Sequence, residues 1–118
     1  DTWRHAEAGA DTVMIVSPRK MAVISKLETE PELDEVVARI EGVDLVITEG
    51  YKGGTKPKIE VFRSAVCEKL FCSPEELIAI ASDVQMDVGV PCFRLDDIQG
   101  ITDLLEKMYL SGNKGVLA

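Results

Sequence analysis

The sequence predicts an α/β protein: an open, mostly parallel β-sheet flanked by helices, with a short β-hairpin. Residues 12–16, 44–48 and 77–81 are rich in apolar side chains and have the length of β-strands. Segments with helical spacing of apolar residues lie between and after them. Strands that are apolar on both faces must be covered on both faces, which is typical of parallel sheets with helices on either side.

The N-terminal third is predicted to contain two helices and a second strand. Asp1 is placed to cap a short helix over residues 2–8. Residues 21–24 predict a strand at a sheet edge or in a hairpin. Pro31 fits the first turn of a longer helix that Gly42 ends, and its apolar residues recur at helical spacing: Leu33, Val36, Val37 and Ile40.

The rest of the chain continues this alternation. The predicted segments are a glycine-rich loop over 50–57, a strand over 59–62, a helical or turn segment over 64–70, and a strand over 90–93. Ser73-Pro74-Glu75-Glu76 is a capping box with proline at the first helical position, so it predicts one helical turn. A final helix is capped by Asp96 or Asp97. Residues 1–110 are predicted to form one domain, and residues 111–118 a flexible tail.

Composition excludes several classes of function. The formal net charge of -8 disfavours binding to nucleic acid or to an anionic membrane. The longest apolar runs fall far short of the ~20 residues that a membrane-spanning helix needs. The 3 cysteines include no CxxC pair, and they predict reduced thiols in a cytoplasmic protein.

Polar residues follow each of the three best strands. In an open α/β sheet, ligands bind at the carboxyl ends of the strands. We therefore expect one ligand-binding edge that combines three groups of residues. They are Ser17, Arg19 and Lys20 after the first strand, Glu49 to Lys52 after the second, and Ser82 and Asp83 after the third.

The loop after Glu49 is the most informative segment for function. Lys52, Lys56 and Lys58 lie within seven residues of an otherwise acidic chain. Gly53 and Gly54 allow a ligand to approach the backbone closely. Ammonium groups bind phosphates as point charges, so this loop predicts an anionic ligand that carries several phosphates. The alternative is a solvated surface loop with incidental lysines.

Two carboxylates have specific interpretations. Glu49 ends an apolar strand, where nucleotide-hydrolysing folds place the acid that holds Mg²⁺, although it could instead cap a loop amide. Asp83 could accept two hydrogen bonds from guanine, although a turn-forming aspartate is an equal alternative. His5 has no serine or cysteine partner that would suggest a triad. We assign no catalytic residue.

Several ordered motifs carry a family resemblance across most of residues 1–110. They are D-T-W-R-H with A-G-A at the N-terminus, E-G-Y-K at 49–52, P-K-I-E-V with Arg63 at 57–63, I-A-I-A-S-D at 78–83, P-C-F at 91–93 and L-D-D-I at 95–98. In this order they resemble the molybdopterin-guanine dinucleotide biosynthesis adaptor family. The pair formed by E-G-Y-K and P-K-I-E-V is the most specific part of the resemblance.

The resemblance implies a P-loop NTPase-like fold and a cytoplasmic homodimer that binds GTP with Mg²⁺. Members of the family assist the enzyme that joins GMP to molybdopterin, so that enzyme and molybdopterin are expected partners. Glu49 resembles the acidic metal residue, and the hairpin around residues 21–26 resembles a region of dimer contacts. Residues of the phosphate or pterin site are expected at Arg4, Lys52, Lys58 and Glu60.

One family motif is missing from the sequence. G-x-x-x-x-G-K-[ST], which cradles the β and γ phosphates, does not occur in it. We expect this loop and the first strand to precede residue 1 in the complete protein. Residues 1–118 by themselves should then bind GTP poorly and not hydrolyse it.

Two other functions would use the same fold. A small-molecule kinase or synthetase of the P-loop class would have the same phosphate-binding edge, and rapid phosphoryl transfer would distinguish it from an adaptor with at most slow GTP hydrolysis. A phospho-acceptor regulatory domain would need acidic residues after the first strand, where this chain has Ser17 and Pro18.

Overall fold

The computed structural model describes residues 1–111 and 115–117, which form two compact units, Asp1–Glu32 and Leu33–Ala118. The helices are α1 (Thr2–Glu7), α2 (Leu33–Val37) and α3 (Ile98–Leu105). The strands are β1 (Thr12–Val16), β2 (Met21–Ser25), β3 (Leu45–Ile47), β4 (Lys58–Phe62), β5 (Leu77–Ser82), β6 (Cys92–Arg94) and β7 (Gly115–Leu117). A 3₁₀ turn at Pro74–Glu76 precedes β5, and a π-helical turn at Glu106–Leu110 follows α3.

The first unit contains α1 and an antiparallel hairpin of β1 and β2. The hairpin prediction is confirmed, with Thr12 opposite Ser25 and Val16 opposite Met21. The prediction that β1 is a buried strand is wrong, because Val13 is its one buried residue. A two-stranded ribbon gives its strands no flanking partner and no layer on both faces, so apolar composition here does not produce burial.

A three-stranded parallel sheet forms the centre of the second unit and confirms the predicted fold class. Its order is β4-β5-β6, with β5 in the middle. Ile80 is fully buried, and Phe62 and Leu77 pack with it as the core. Half-buried apolar side chains surround this cluster: Cys67, Leu70, Cys72, Met86, Val88, Val90 and Cys92.

A second parallel pair joins β3 to β7. Leu45 lies opposite Gly115, and Ile47 lies opposite Leu117. Residues 115–117 of the predicted flexible tail are therefore in a strand, while its residues 112–114 and 118 lie outside the described part of the chain. The register accounts for this difference, since residues 115–117 satisfy backbone groups of β3 that would otherwise form a bare sheet edge.

Helix α2 ends earlier than its apolar pattern predicts. The pattern extends to Ile40, but the regular helix ends at Val37. The N–H groups of Arg39 and Ile40 donate to carbonyls three residues back, at 3.2 and 3.0 Å. The last turn has therefore tightened from α-helical to 3₁₀-type bonding, as is common at helix ends.

Helix α3 begins at a capped turn that follows β6. Asp97 caps it by accepting a hydrogen bond from the Gly100 N–H at 2.9 Å, while Asp96 pairs with Arg94. A Cβ atom at position 100 would lie 2.9 Å from the Phe93 ring. It would also lie 2.6 Å from Asp97 Oδ2, so any larger residue at position 100 would force these side chains or the helix start to shift. Within the described residues, no helix has the length and apolar character to cross a membrane.

Candidate functional site

A cavity of about 590 Å³ opens in the second unit. Residues 47–52, which run out of the end of β3, and residues 58–61 of β4 contribute to its wall. Cys67, Lys69, Phe71 and Cys72 come from the loop after β4, and Ile101 and Leu105 come from α3. The cavity thus combines apolar surface with exposed charged side chains, which is typical of a small-molecule site.

Two lysines of the cavity are exposed to solvent. Lys52 and Lys69 both line it, and the ammonium of Lys52 lies 5.6 Å from the centroid of the Phe71 ring. This distance is within the range of a cation–π interaction. Such a contact on the surface is weak, so the Lys52 charge remains accessible to an anion.

Lys58 is buried, and its ammonium is bound by other groups of the protein. It donates to the carbonyl oxygens of Gly54 and Lys56, and to Glu76 Oε1 at 3.0 Å. An ammonium group has three N–H donors, so these three acceptors use all of them. Lys58 was predicted as a phosphate-site residue, and in this structure it stabilises the glycine-rich loop.

Glu76 links this lysine to the helical turn before β5. The Ser73 N–H at 2.9 Å, the Lys58 ammonium and the Ser73 hydroxyl all donate to the Glu76 carboxylate. These bonds, led by the Ser73 N–H, lower the pKa of Glu76 to about 2. The predicted capping box is confirmed, and it also provides the counter-charge for Lys58.

Lys56 is also paired within the protein. Its ammonium lies 2.7 Å from Asp34 Oδ1. Of the three lysines that predicted an anion-binding loop, Lys52 is the one whose charge faces the cavity without an acidic partner among the described residues. Lys69, which was not predicted, supplies the second cation.

Glu60 lines the cavity and organises its wall. Its two carboxylate oxygens accept the backbone N–H groups of Phe71 at 2.7 Å and Cys72 at 2.9 Å. Burial raises the pKa of the Cys72 thiol, and the nearby Glu60 carboxylate raises it further. Glu60 was predicted to bind phosphate or pterin, and here it pins the loop that carries Phe71.

Glu49 lines the cavity. Its side chain is exposed, and no hydrogen bond or ion pair to it occurs within the described residues. The same part of the chain contains no group of three acidic, histidine or cysteine side chains that could hold a metal ion. Glu49 can therefore offer one carboxylate to Mg²⁺, which commonly takes its remaining ligands from water and substrate phosphates.

The other predicted site residues are Asp83 and Arg4. Asp83 is not among the residues that line the cavity, and its carboxylate accepts the Ser64 N–H at 2.9 Å and the Ser64 hydroxyl at 3.0 Å. The Ser64 N–H lowers the pKa of Asp83. Arg4 lies on helix α1 in the first unit. The polar residues after β1 also belong to the first unit. The guanine-binding role of Asp83 and the role of Arg4 stay predictions.

Sequence reasoning missed Lys69 and Phe71. Lys69 lies in the segment 64–70, predicted only as a helix or turn, and Phe71 follows that segment directly, so no periodic pattern identified them. One signal was available: Leu70, Phe71 and Cys72 are three consecutive apolar residues in a loop. Two of them, Leu70 and Cys72, pack on the core, and Phe71 does not.

The fold and cavity define an α/β protein with a cavity at the end of a parallel strand. The sequence pattern of the family described as MobB, molybdopterin guanine dinucleotide synthesis protein B, matches residues 1–83. A crystal structure of molybdopterin-guanine biosynthesis protein B is similar, with a TM-score of 0.68 and 29% identity over 90% of this chain and 73% of that one. The chain belongs to the MobB family.

Two relatives carry the name molybdopterin-guanine dinucleotide biosynthesis adapter protein. The protein of Escherichia coli K12 is 30% identical over 115 residues, covering 89% of this chain and 63% of its own length. The protein of Haemophilus influenzae is 26% identical over 108 residues, covering 90% of this chain and 61% of its own length. The chain therefore spans somewhat over three fifths of the length of these relatives.

Proposed function

We propose that the protein is a GTP-binding adaptor of molybdopterin guanine dinucleotide biosynthesis that assists the attachment of GMP to molybdopterin. One observation carries the proposal: a chain of this family has a cavity that combines apolar walls with two exposed lysines and an exposed glutamate. The apolar walls suit a heterocyclic ring, and the lysines suit its phosphates. The GMP-transferring enzyme of the pathway is the proposed protein partner.

Lys52 and Lys69 hold the phosphates in this proposal. Both side chains are exposed at the cavity, so their charges can reach an anion without first being released from an internal ion pair. The net charge of -8 repels anions from the surface as a whole, so local cations decide where a phosphate binds. Glu49 is the residue that would hold Mg²⁺, which supplies charge neutralisation between phosphate oxygens.

Replacing Lys52 by alanine is expected to weaken binding of GTP about tenfold, which corresponds to one lost charge-assisted hydrogen bond. Calorimetric titration of GTP into the chain in its full natural length measures this. In the same titrations, Glu49→Ala should reduce the dependence of affinity on Mg²⁺ while leaving the fold intact.

The matched control is Lys107→Ala, which removes an exposed lysine that does not line the cavity. It has the same effect on net charge as Lys52→Ala. Equal GTP affinities for the two variants would exclude the proposed phosphate site. A Mg²⁺ titration unaltered by Glu49→Ala would exclude the proposed metal role.

A cytoplasmic homodimer is part of the same proposal. Alternate residues of a strand share one face, and the cross-strand pairs Met14–Val23 and Val16–Met21 place four apolar side chains on one face of the hairpin. These side chains are 50 to 70% exposed. We expect Val16→Lys to convert a dimer into a monomer in analytical ultracentrifugation, and an unchanged mass would contradict this role of the hairpin.

A further inference from the structure

Phe71 is an exposed aromatic side chain at the cavity. It contributes to the cavity wall, yet it leaves 68% of its surface open to solvent. Its sequence neighbours Leu70 and Cys72 both pack against the core. The loop therefore directs two apolar side chains inward and presents the third, the largest, to the cavity and solvent.

Hydrogen bonds hold the backbone that carries this side chain. The two oxygens of Glu60 accept the N–H groups of Phe71 and Cys72, at 2.7 and 2.9 Å. A carboxylate that accepts two consecutive amides holds a short stretch of backbone in place, and charge-assisted bonds of this kind are strong. The backbone at Phe71 is thus attached through Glu60 to β4, an edge strand of the three-stranded sheet.

The surroundings of the ring indicate the ligand class. The Lys52 ammonium lies 5.6 Å from the ring centroid, and Lys69 lines the same cavity two residues before Phe71. A phenyl ring has two faces, so a cation near it leaves surface on which another planar ring can stack. A planar heterocycle on this ring would bring its attached phosphates next to positive charge.

We propose that Phe71 is the stacking platform for the ring of a phosphorylated heteroaromatic ligand, with Lys52 and Lys69 binding its phosphates. The inference rests on the proposed function, because it places that function's ligand in this cavity. Guanine nucleotides and pterin phosphates share the required chemistry, a fused planar ring with an anionic tail. Glu60 is the positioning residue that holds Phe71 in place.

The test compares three probes on the full-length natural chain: GTP with Mg²⁺, a pterin monophosphate, and inorganic tripolyphosphate, which has no ring. Phe71→Leu removes the aromatic face but keeps an apolar side chain of similar size. Stacking on one aromatic ring corresponds to about a tenfold change in affinity. We therefore expect Phe71→Leu to weaken the binding of a ring-bearing probe about tenfold and to leave the affinity for tripolyphosphate unchanged. Phe71→Trp should keep the affinity for the ring-bearing probe.

Val66→Ala is the matched control. Val66 lies in the same loop, is 78% exposed and does not line the cavity. Its removal should change no affinity, and thermal melts of all variants should coincide with that of the wild type because both sites are exposed.

Each outcome is decisive. If wild type and Phe71→Leu have equal affinity for GTP, and also equal affinity for the pterin monophosphate, the stacking role is wrong while GTP binding stands. If only the pterin monophosphate binds and depends on Phe71, the platform stands and GTP binding is wrong. If neither ring-bearing probe binds the wild type, both proposals are wrong.

Discussion

Replacing Lys58 by methionine is expected to lower the free energy of unfolding by about 2 kcal/mol, in the range of a lost hydrogen bond to a charged group. Methionine keeps the aliphatic length of the side chain but has no donor. The carbonyls of Gly54 and Lys56 and the carboxylate of Glu76 would each lose the ammonium they now share. Urea denaturation at pH 7 measures the change.

The effect should depend on pH in a defined way. The pKa of Glu76 is lowered from an ordinary 4.5 to about 2, so its carboxylate stabilises the fold above pH 4.5 and loses that effect as the pH falls towards 2. In Lys58→Met this acid-dependent loss of stability should be smaller, because the Lys58 ammonium no longer lowers the pKa of Glu76. The Ser73 N–H still lowers it. An identical decline from pH 4.5 towards 2 in wild type and variant would contradict a stabilising Lys58–Glu76 ion pair.

Lys56→Met is the control for this prediction. It removes a lysine from the same loop that makes one ion pair, with an Asp34 side chain that is 76% exposed. Exposed pairs contribute about 0–1 kcal/mol. A loss as large as that of Lys58→Met would show that loop composition, rather than the buried ammonium, determines stability.

Shortening Ile80 to alanine is expected to lower the free energy of unfolding by about 3 kcal/mol, within the range measured for such core truncations. Ile80 is fully buried in the central strand β5, in the core cluster that it forms with Phe62 and Leu77. Removing three carbon atoms there leaves a void that the paired strands on both sides cannot close. Chemical denaturation followed by circular dichroism measures the loss.

Two further variants test whether burial of the Ile80 side chain causes this loss of stability. Ile80→Val should lose about 1 kcal/mol, since it deletes one methylene group instead of three carbon atoms. Ile98→Ala removes a side chain that is 76% exposed, and it should change stability by less than about 0.5 kcal/mol. A loss for Ile98→Ala equal to that for Ile80→Ala would contradict the assignment of the core to β5.

The sequence predicted most elements because their signals are local. The apolar run of β5, the proline capping box before it and the aspartate cap of α3 depend on neighbouring residues and appear nearly where expected. The burial of β1 was mispredicted because burial depends on what packs against a strand. An apolar pentapeptide has the same composition in the middle of a sheet and in a two-stranded hairpin.

The site was less predictable, for a related reason. Glu49 and Lys52 follow a strand end directly, and they lie at the cavity. Lys58 is chemically identical to Lys52, but Glu76 lies close enough to bind it internally, and eighteen residues of sequence separate the two. Phe71 depends on its backbone bonds to Glu60, which also join distant parts of the chain. Pairings of this kind have no sequence periodicity.

The contact between Gly100 and Phe93 has a consequence for the shape of the cavity. A side chain at position 100 would collide with that ring and with the Asp97 carboxylate, so a larger residue there would require the ring or the start of α3 to shift. The same helix carries Ile101 and Leu105, which line the cavity. The loops around it are held by hydrogen bonds of Lys58 and Glu60, so one glycine and two hydrogen-bonded side chains determine the shape of this cavity.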